Sequence, residues 1–188
     1  MTNTSMVAID YSMTSPAMII CRREVISFPS CQCFFLTDKP KLAKDFRPNL
    51  VGTLMPKWET FEERFDLISQ WVFDNLPTDC KIVGIEGYSF GSKGKVFQIA
   101  ENTGLLKHKF WKQQIPMKIV APTEIKKFAT GKGNATKQLL EECFVAQTGV
   151  NLREILGQSE KQMNPSSDII DSFFLLSLIY NNITANKQ

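Results

Sequence analysis

Two short apolar runs in this sequence each end in a carboxylate. Met6 to Ile9 leads to Asp10, and Lys81 to Ile85 leads to Glu86. Apolar runs of this length predict buried strands, and a carboxylate at the end of such a strand costs free energy if it is buried without a partner. Ligands of α/β proteins bind at the ends of sheet strands. The two acids therefore predict a functional site where two strands end, although an aspartate after a strand is also a common turn residue.

The remaining patterns predict a mixed α/β fold in one domain over residues 1–188. Pro16–Cys21 and Cys31–Leu36 are apolar runs close to the first strand, which favours an antiparallel meander. Residues 38–57 contain three prolines and a glycine, which predict a long surface connection. The rest alternates between predicted helices (58–76, 96–106, from 123, 135–147 and from near 168) and a strand over 117–121. Strands first, then strands alternating with helices, are typical of a mixed sheet flanked by helices.

Two further acids open the final helix. Asp168 and Asp171 are three residues apart, so they share one face of its first turn, after the capping segment Asn164-Pro165-Ser166-Ser167. The rest of this helix is strongly apolar, although an acid in a first turn also complements the helix dipole. Four carboxylates brought together repel one another, and a divalent cation offsets that repulsion. Oxygen ligands without histidine or cysteine favour Mg²⁺ or Mn²⁺ over zinc.

Positive charge is concentrated in one quarter of the chain. Residues 91–137 hold ten lysines and two glutamates, a net charge of +8, whereas residues 1–90 carry −2 and residues 138–188 carry −3. A basic patch suits a polyanion, because each lysine on a phosphate releases counterions. The patch and the acids together predict a nuclease that cuts phosphodiester bonds with two metal ions. For the lysines alone, an ordinary solvated surface is the alternative.

Length and cysteine content exclude several classes of protein. A chain of 188 residues buries about 70% of its unfolded surface and needs no disulfide or structural metal. It is too short for the two-domain sugar kinases and actin-like ATPases. Its five cysteines lack metal-ligand spacing, which is typical of reduced thiols in the cytoplasm. Without a signal-peptide pattern or an apolar run of about 20 residues, the expectation is a cytoplasmic protein with no membrane partner.

The order of these motifs resembles the RuvC-like Holliday-junction resolvases of the RNase H superfamily. Val7-Ala8-Ile9-Asp10 resembles the first catalytic strand of that family, and Ile85-Glu86 with its aromatic-bearing loop resembles the second acidic motif. Residues 121–127 and 131–137 resemble the basic DNA-contacting segment, and Asp168-Ile169-Ile170-Asp171 resembles the closing acid pair. The resemblance covers most of the chain, from residue 7 to about residue 183.

The resemblance implies an RNase H-like fold, with a mixed five-stranded sheet flanked by helices. It also implies a homodimer that resolves four-way DNA junctions by metal-dependent hydrolysis, leaving 5′-phosphate and 3′-hydroxyl ends. Two Mg²⁺ ions per active site, replaceable by Mn²⁺, are implied to bind to Asp10, Glu86, Asp168 and Asp171. Lys137 is implied to act in catalysis. The implied DNA-binding residues are Tyr88, Phe90, Lys93, Lys95, Lys126, Lys127 and Lys132, although Phe90 is equally well explained as a core residue of the following helix.

Two features depart from the family pattern. Asp10 is followed by Tyr-Ser-Met-Thr-Ser-Pro rather than the Pro-Gly-Ser of bacterial members, and the 38–57 segment is longer than expected. A phage-type member is one interpretation, and phage-encoded relatives include enzymes that cut several branched structures. Two alternatives stay open: an RNase H-like nuclease for flaps or RNA–DNA hybrids, and a non-catalytic junction-binding protein. The sequence offers no residue for a 2′-hydroxyl contact, and the intact set of four acids argues against a pure binding protein.

Overall fold

The computed structural model describes residues 5–22, 25–47, 49–88, 96–159 and 161–185. Its strands are β1 (Ser5–Asp10), β2 (Ala17–Cys21), β3 (Gln32–Thr37), β4 (Asp45–Arg47), β5 (Leu50–Leu54), β6 (Cys80–Glu86) and β7 (Met117–Val120). Its α-helices are α1 (Phe61–Asn75), α2 (Val96–Lys112), α3 (Pro122–Thr130), α4 (Lys137–Thr148), α5 (Leu152–Leu156) and α6 (Ser166–Ala185). Short 3₁₀ helices span Phe28–Ser30 and Pro40–Leu42.

These strands form one mixed sheet in the order β4-β5-β3-β2-β1-β6-β7. β1, β2 and β3 form the antiparallel meander that the sequence predicts. β6 pairs in parallel with both β1 and β7, and Ile9 of β1 is the register partner of Ile85 of β6. Parallel strands end at the same edge of a sheet, so the residues that follow this pair, Asp10 and Glu86, lie side by side.

The sheet has two strands more than the five that the resemblance implies, and both lie in the 38–57 segment. β5 pairs in parallel with β3, and β4 pairs antiparallel with β5 at the edge of the sheet. The prediction of a surface connection is therefore wrong for this segment, because its prolines and Gly52 normally mark loops. Gly52 does not mark a loop but allows neighbouring groups to pack closely against the strand. A Cβ atom there would lie 2.0 Å from the carbonyl oxygen of Leu42 and 2.7 Å from Cζ of Phe35.

Hydrophobic clusters cover both faces of the sheet. One cluster lies between the sheet and α3, α4 and α6, and β1 contributes Ala8 to it. The other lies between the sheet and α1 and α2, and β1 contributes Val7 and Ile9 to it. A strand buried on both faces needs apolar side chains in both directions. This explains why the first strand is a continuous apolar run rather than an alternating one.

α6 crosses the central strands and directs its first turns to the edge where β1 and β6 end. Gly84 of β6 permits this approach, since a Cβ atom there would lie 2.0 Å from Cδ1 of Ile179. The hydroxyl of Ser172 accepts a hydrogen bond from the backbone N–H of Asp10 at 3.0 Å and lies 3.0 Å from the carbonyl oxygen of Ala17. These contacts fix the start of α6 against the end of β1.

Three other elements differ from the sequence-based predictions. α6 begins at Ser166, so Ser166 and Ser167 belong to the helix rather than to its cap. α2 continues beyond residue 106 to Lys112. α5 has five residues, which is too short to show a periodic pattern in the sequence. Across the described ranges, no helix is both long and apolar enough to cross a membrane.

Candidate active site

Three carboxylates from distant parts of the sequence meet at one edge of the sheet. Asp10 ends β1, Glu86 ends β6, and Asp171 lies near the start of α6. Each offers a carboxylate oxygen, and these oxygens lie within 4.8 Å of one another. All three residues are half-buried. The parallel pairing of β1 with β6 and the packing of α6 across both strands produce this arrangement.

Asp168 lies beside this group of three but is not part of it. It is 3% exposed, and its oxygen Oδ2 accepts a hydrogen bond from the hydroxyl of Ser15. The other oxygen, Oδ1, lies 3.3 Å from the hydroxyl of Ser167. The charge of Asp168 also repels that of Asp10 and contributes to the rise in the pKa of Asp10. The two acids of the final helix therefore have different surroundings, and the charges of both act on Asp10.

Burial raises the pKa of all four carboxyl groups, because the charged form loses water. The pKa of Glu86 rises to about 8 through burial and then through repulsion from Asp171 and Asp168. The pKa of Asp171 rises to about 6, again mainly through burial. Burial also raises the pKa of Asp10, to which its three acidic neighbours add, and that of Asp168. The positive charge of Lys137 opposes every one of these shifts.

The four acids line one cleft of about 530 Å³, together with two lysines. Lys126 comes from α3, and Lys137 is the first residue of α4. Nζ of Lys137 donates a hydrogen bond to the hydroxyl of Ser167 at 3.1 Å. Both lysines lower the pKa of Glu86 and of Asp171, so their charges act directly on the acids. The cleft therefore combines cation-binding oxygens with groups that attract a phosphate.

The other predicted DNA-binding residues divide between the lining of this cleft, the surface outside it and the part of the chain that the structure does not describe. Tyr88 is 41% exposed and lines both the cleft and a neighbouring cavity of about 310 Å³. Lys127 and Lys132 are exposed on α3 and on the loop that follows it, and neither lines the cleft. Phe90, Lys93 and Lys95 lie outside the described residues.

The donor set fits a divalent metal ion. Its three close ligand atoms are carboxylate oxygens, the type that Mg²⁺ and Mn²⁺ prefer. Within the described residues, no histidine or cysteine joins this cluster. The cleft holds four carboxyl groups but only two ammonium groups among the described residues that line it. A divalent cation would balance the excess of carboxyl groups.

The sequence analysis missed the residues that hold Asp168 in place. Ser15 lies in a polar stretch that is typical of a turn, and Asn164 and Ser167 lie in a segment that is typical of a helix cap. In the structure these three residues form a hydrogen-bonded group around Asp168. The available signal was their position: each hydroxyl or amide side chain lies within a few residues of one of the acidic motifs.

Solved structures share this architecture. A Thermus thermophilus RuvC structure matches with a TM-score of 0.58 over 97% of this chain and 97% of that chain, at 16% sequence identity. T. thermophilus RuvC in complex with a Holliday junction substrate matches with a TM-score of 0.58 over 97% of this chain and 94% of that chain, at 15% identity. No protein-family model matches the sequence, and no curated protein matches it. The mixed α/β prediction is thus confirmed, and the chain has the RNase H-like fold of the RuvC structures over almost its whole length.

Proposed function

We propose that this protein is a structure-selective DNA endonuclease that hydrolyses phosphodiester bonds at branched DNA, chiefly four-way junctions. The observation that carries the proposal is the meeting of three carboxylates, with oxygens within 4.8 Å of one another, in a cleft that also contains two lysines. This combination suits metal-assisted hydrolysis of a phosphodiester. The RuvC structure with a Holliday junction substrate, which has the same fold, supports branched DNA as the substrate class.

Four acids would hold the metal ions: Asp10, Glu86, Asp168 and Asp171. Two Mg²⁺ ions are proposed, with Mn²⁺ as a substitute that has similar ligand preferences. Asp10 is the natural shared ligand, because it belongs to the group of three and the charge of Asp168 also acts on it. When bound, the ions supply positive charge to the phosphate and lower the pKa of water.

The lysines of the cleft act on the phosphate itself. In the hydrolysis, a water oxygen bonds to phosphorus and the bond to the 3′ oxygen breaks, which leaves a 5′-phosphate and a 3′-hydroxyl. Negative charge grows on the phosphate oxygens in the transition state, and a preorganised ammonium group stabilises it. Lys137 is preorganised, because the hydroxyl of Ser167 holds its Nζ at 3.1 Å. Lys126 adds a second positive charge from α3.

The exposed residues of the basic segment are assigned to DNA binding. Lys127 and Lys132 are exposed close to the cleft lysines in sequence, where each can contact a phosphate. The partly exposed ring of Tyr88 stands at the cleft, where it can stack on an unpaired base. The proposal extends to Phe90, Lys93 and Lys95, which follow Tyr88 in the sequence.

A homodimer is proposed because a four-way junction presents two equivalent strands for cleavage. The exposed face of α2 supports this part of the proposal. Phe97 is 80% exposed and Trp111 is 68% exposed on this helix. Gly104 lies between them, and a Cβ atom there would have no neighbour within 4 Å. Sedimentation velocity should show a dimer that Trp111→Lys dissociates, and a monomeric wild-type protein would contradict this part.

Cleavage of defined DNA substrates tests the function. The substrates are an immobile four-way junction, a flap, a linear duplex and an RNA–DNA hybrid, each in Mg²⁺ and in EDTA. We expect Mg²⁺-dependent cleavage of the junction, with loss of cleavage in Asp10→Asn and full activity in Asp45→Asn, which changes an exposed aspartate of β4. Equal cleavage of flap and junction would indicate a nuclease for branched DNA in general. Cleavage of the RNA–DNA hybrid alone would indicate an RNase H-like activity, and binding without cleavage would indicate a non-catalytic protein.

A further inference from the structure

A chain of hydrogen bonds connects the cleft lysine to the buried aspartate. Nζ of Lys137 lies 3.1 Å from Oγ of Ser167, and that hydroxyl lies 2.8 Å from Oδ1 of Asn164. Nδ2 of Asn164 lies 2.9 Å from Oγ of Ser15, and that hydroxyl hydrogen bonds with Oδ2 of Asp168. The connected side chains come from the loop after β1, the start of α4, the segment before α6, and α6 itself.

The direction of every bond in this chain is determined by its two ends. A lysine ammonium group only donates, and a carboxylate only accepts. The hydroxyl of Ser167 therefore accepts from Lys137 and donates its single proton onward, at 2.8 Å to Asn164. The amide of Asn164 accepts at Oδ1 and donates at Nδ2 to Ser15. The only proton left for Asp168 at Oδ2 is that of the Ser15 hydroxyl.

The middle members of the chain are themselves held in place. Ser15 and Ser167 are each 7% exposed. The backbone N–H of Ser15 donates to the hydroxyl of Ser12 at 3.0 Å. The side chain of Gln158 donates to the carbonyl oxygen of Asn164 at 2.5 Å. Hydrogen-bonded side chains that are buried, as those of Ser15 and Ser167 are, or half-buried, as that of Asn164 is, have few alternative rotamers, so they restrict the rotation of the carboxylate at the end of the chain.

We propose that Ser15 and Asn164 are positioning residues that hold the Asp168 carboxylate in its orientation towards the cleft. Neither residue is assigned a contact with the reacting phosphate. Both act through Asp168, whose Oδ2 accepts a hydrogen bond from Ser15 and which lines the same cleft as Asp10. Residues that orient a ligand in this way change metal affinity about 10–100-fold when they are replaced. The inference rests on the metal site of the proposed function, but not on the identity of the DNA substrate.

Metal titration of folded variants tests the proposal without any DNA. Mn²⁺ binding is measured by isothermal titration calorimetry on the full chain, and metal-free thermal stability is measured on the same samples. Ser15→Ala and Asn164→Leu should each weaken Mn²⁺ binding about 10-fold. Ser15→Thr keeps the hydroxyl and should restore most of the affinity. The double variant should bind no more weakly than the worse single variant, because both replacements interrupt the same chain.

A matched control separates positioning from ordinary packing. Ser177 is also 7% exposed and also lies on α6, but its hydroxyl donates only to the carbonyl oxygen of Phe173. Ser177→Ala should lower thermal stability without changing Mn²⁺ affinity. If Ser15→Ala and Asn164→Leu behave like Ser177→Ala, with wild-type Mn²⁺ affinity, the positioning role is overturned.

Failure of the proposed nuclease function and failure of the positioning role would give different results. A wild-type protein that binds Mn²⁺ but cuts no branched DNA would overturn the nuclease assignment, and the comparison of Ser15→Ala with Ser177→Ala would still decide the positioning role. A wild-type protein that binds no Mn²⁺ would overturn both.

Discussion

Replacing Glu86 by glutamine should stabilise the metal-free protein at pH 8 while removing its cleavage activity. The ordinary pKa of a glutamate is 4.5, and the pKa of Glu86 in the folded protein is about 8. Between these two values the folded state holds a proton that the unfolded state has released. Raising the pH from 4.5 towards 8 therefore favours unfolding. Glutamine carries no charge at either pH, so Glu86→Gln removes this dependence.

The size of the effect follows from the shift in pKa. Each pKa unit corresponds to about 1.4 kcal/mol, so the full shift of Glu86 sets an upper limit of roughly 4 kcal/mol at pH 8. Its acidic neighbours titrate over overlapping ranges and share part of this free energy, which brings the expected gain to the order of 2 kcal/mol. At pH 5 the expected gain is below about 1 kcal/mol, because this pH is only about half a unit above the ordinary pKa of 4.5, so little of the difference between the folded and unfolded states is expressed.

Urea unfolding in EDTA at pH 5 and pH 8 measures this difference. Glu142→Gln is the control, since Glu142 is exposed on α4 and away from the cleft, and its free energy of unfolding should follow that of the wild type at both pH values. Adding Mg²⁺ at pH 8 should stabilise the wild type and have much less effect on Glu86→Gln, because a ligand that binds only the folded state raises its stability. A Glu86→Gln protein no more stable than the wild type at pH 8 without metal would refute the argument from burial and repulsion.

Three further predictions concern the cleft, the DNA surface and the sheet edge. Lys137→Ala should reduce the rate of junction cleavage about 100-fold in single-turnover kinetics, with little change in DNA affinity in filter binding. An equal loss of DNA affinity would contradict a catalytic role for Lys137. Lys127→Ala and Lys132→Ala should each lower the slope of log affinity against log salt concentration by about 1, and unchanged slopes would remove these lysines from the DNA surface. Gly52→Ala should destabilise the protein by about 2 kcal/mol in urea unfolding, because its Cβ atom would lie 2.0 Å from the carbonyl oxygen of Leu42.

The parts of the fold that the sequence predicts are those in which local pattern and tertiary packing agree. β1 and β6 are apolar because both faces of the sheet are covered, and each is marked by an acid at its end. The sequence did not predict β4 and β5, because the proline and glycine residues that normally mark loops also occur in edge strands and at positions of close backbone packing. Gly52 is at a position of close packing, since a Cβ atom there would lie 2.7 Å from Cζ of Phe35.

The candidate site was predictable to the extent that its acids stand in unusual positions. Asp10, Glu86 and Asp171 follow or open apolar elements, and the structure brings them together. The group around Asp168 could not be predicted in the same way. Ser15 is 153 residues from Asp168 in the sequence, and only the packing of α6 across β1 and β2 brings the two side chains together. A hydroxyl in a turn carries no signal of a partner that distant.

Cleavage of an immobile four-way junction in Mg²⁺ tests the central claim most directly. The account predicts paired, symmetric nicks with 5′-phosphate and 3′-hydroxyl ends, no cleavage in EDTA, and binding without cleavage by Asp10→Asn. Near wild-type cleavage by Asp10→Asn, or cleavage that persists in EDTA, would contradict the assignment of the carboxylate cluster as the metal-dependent active site.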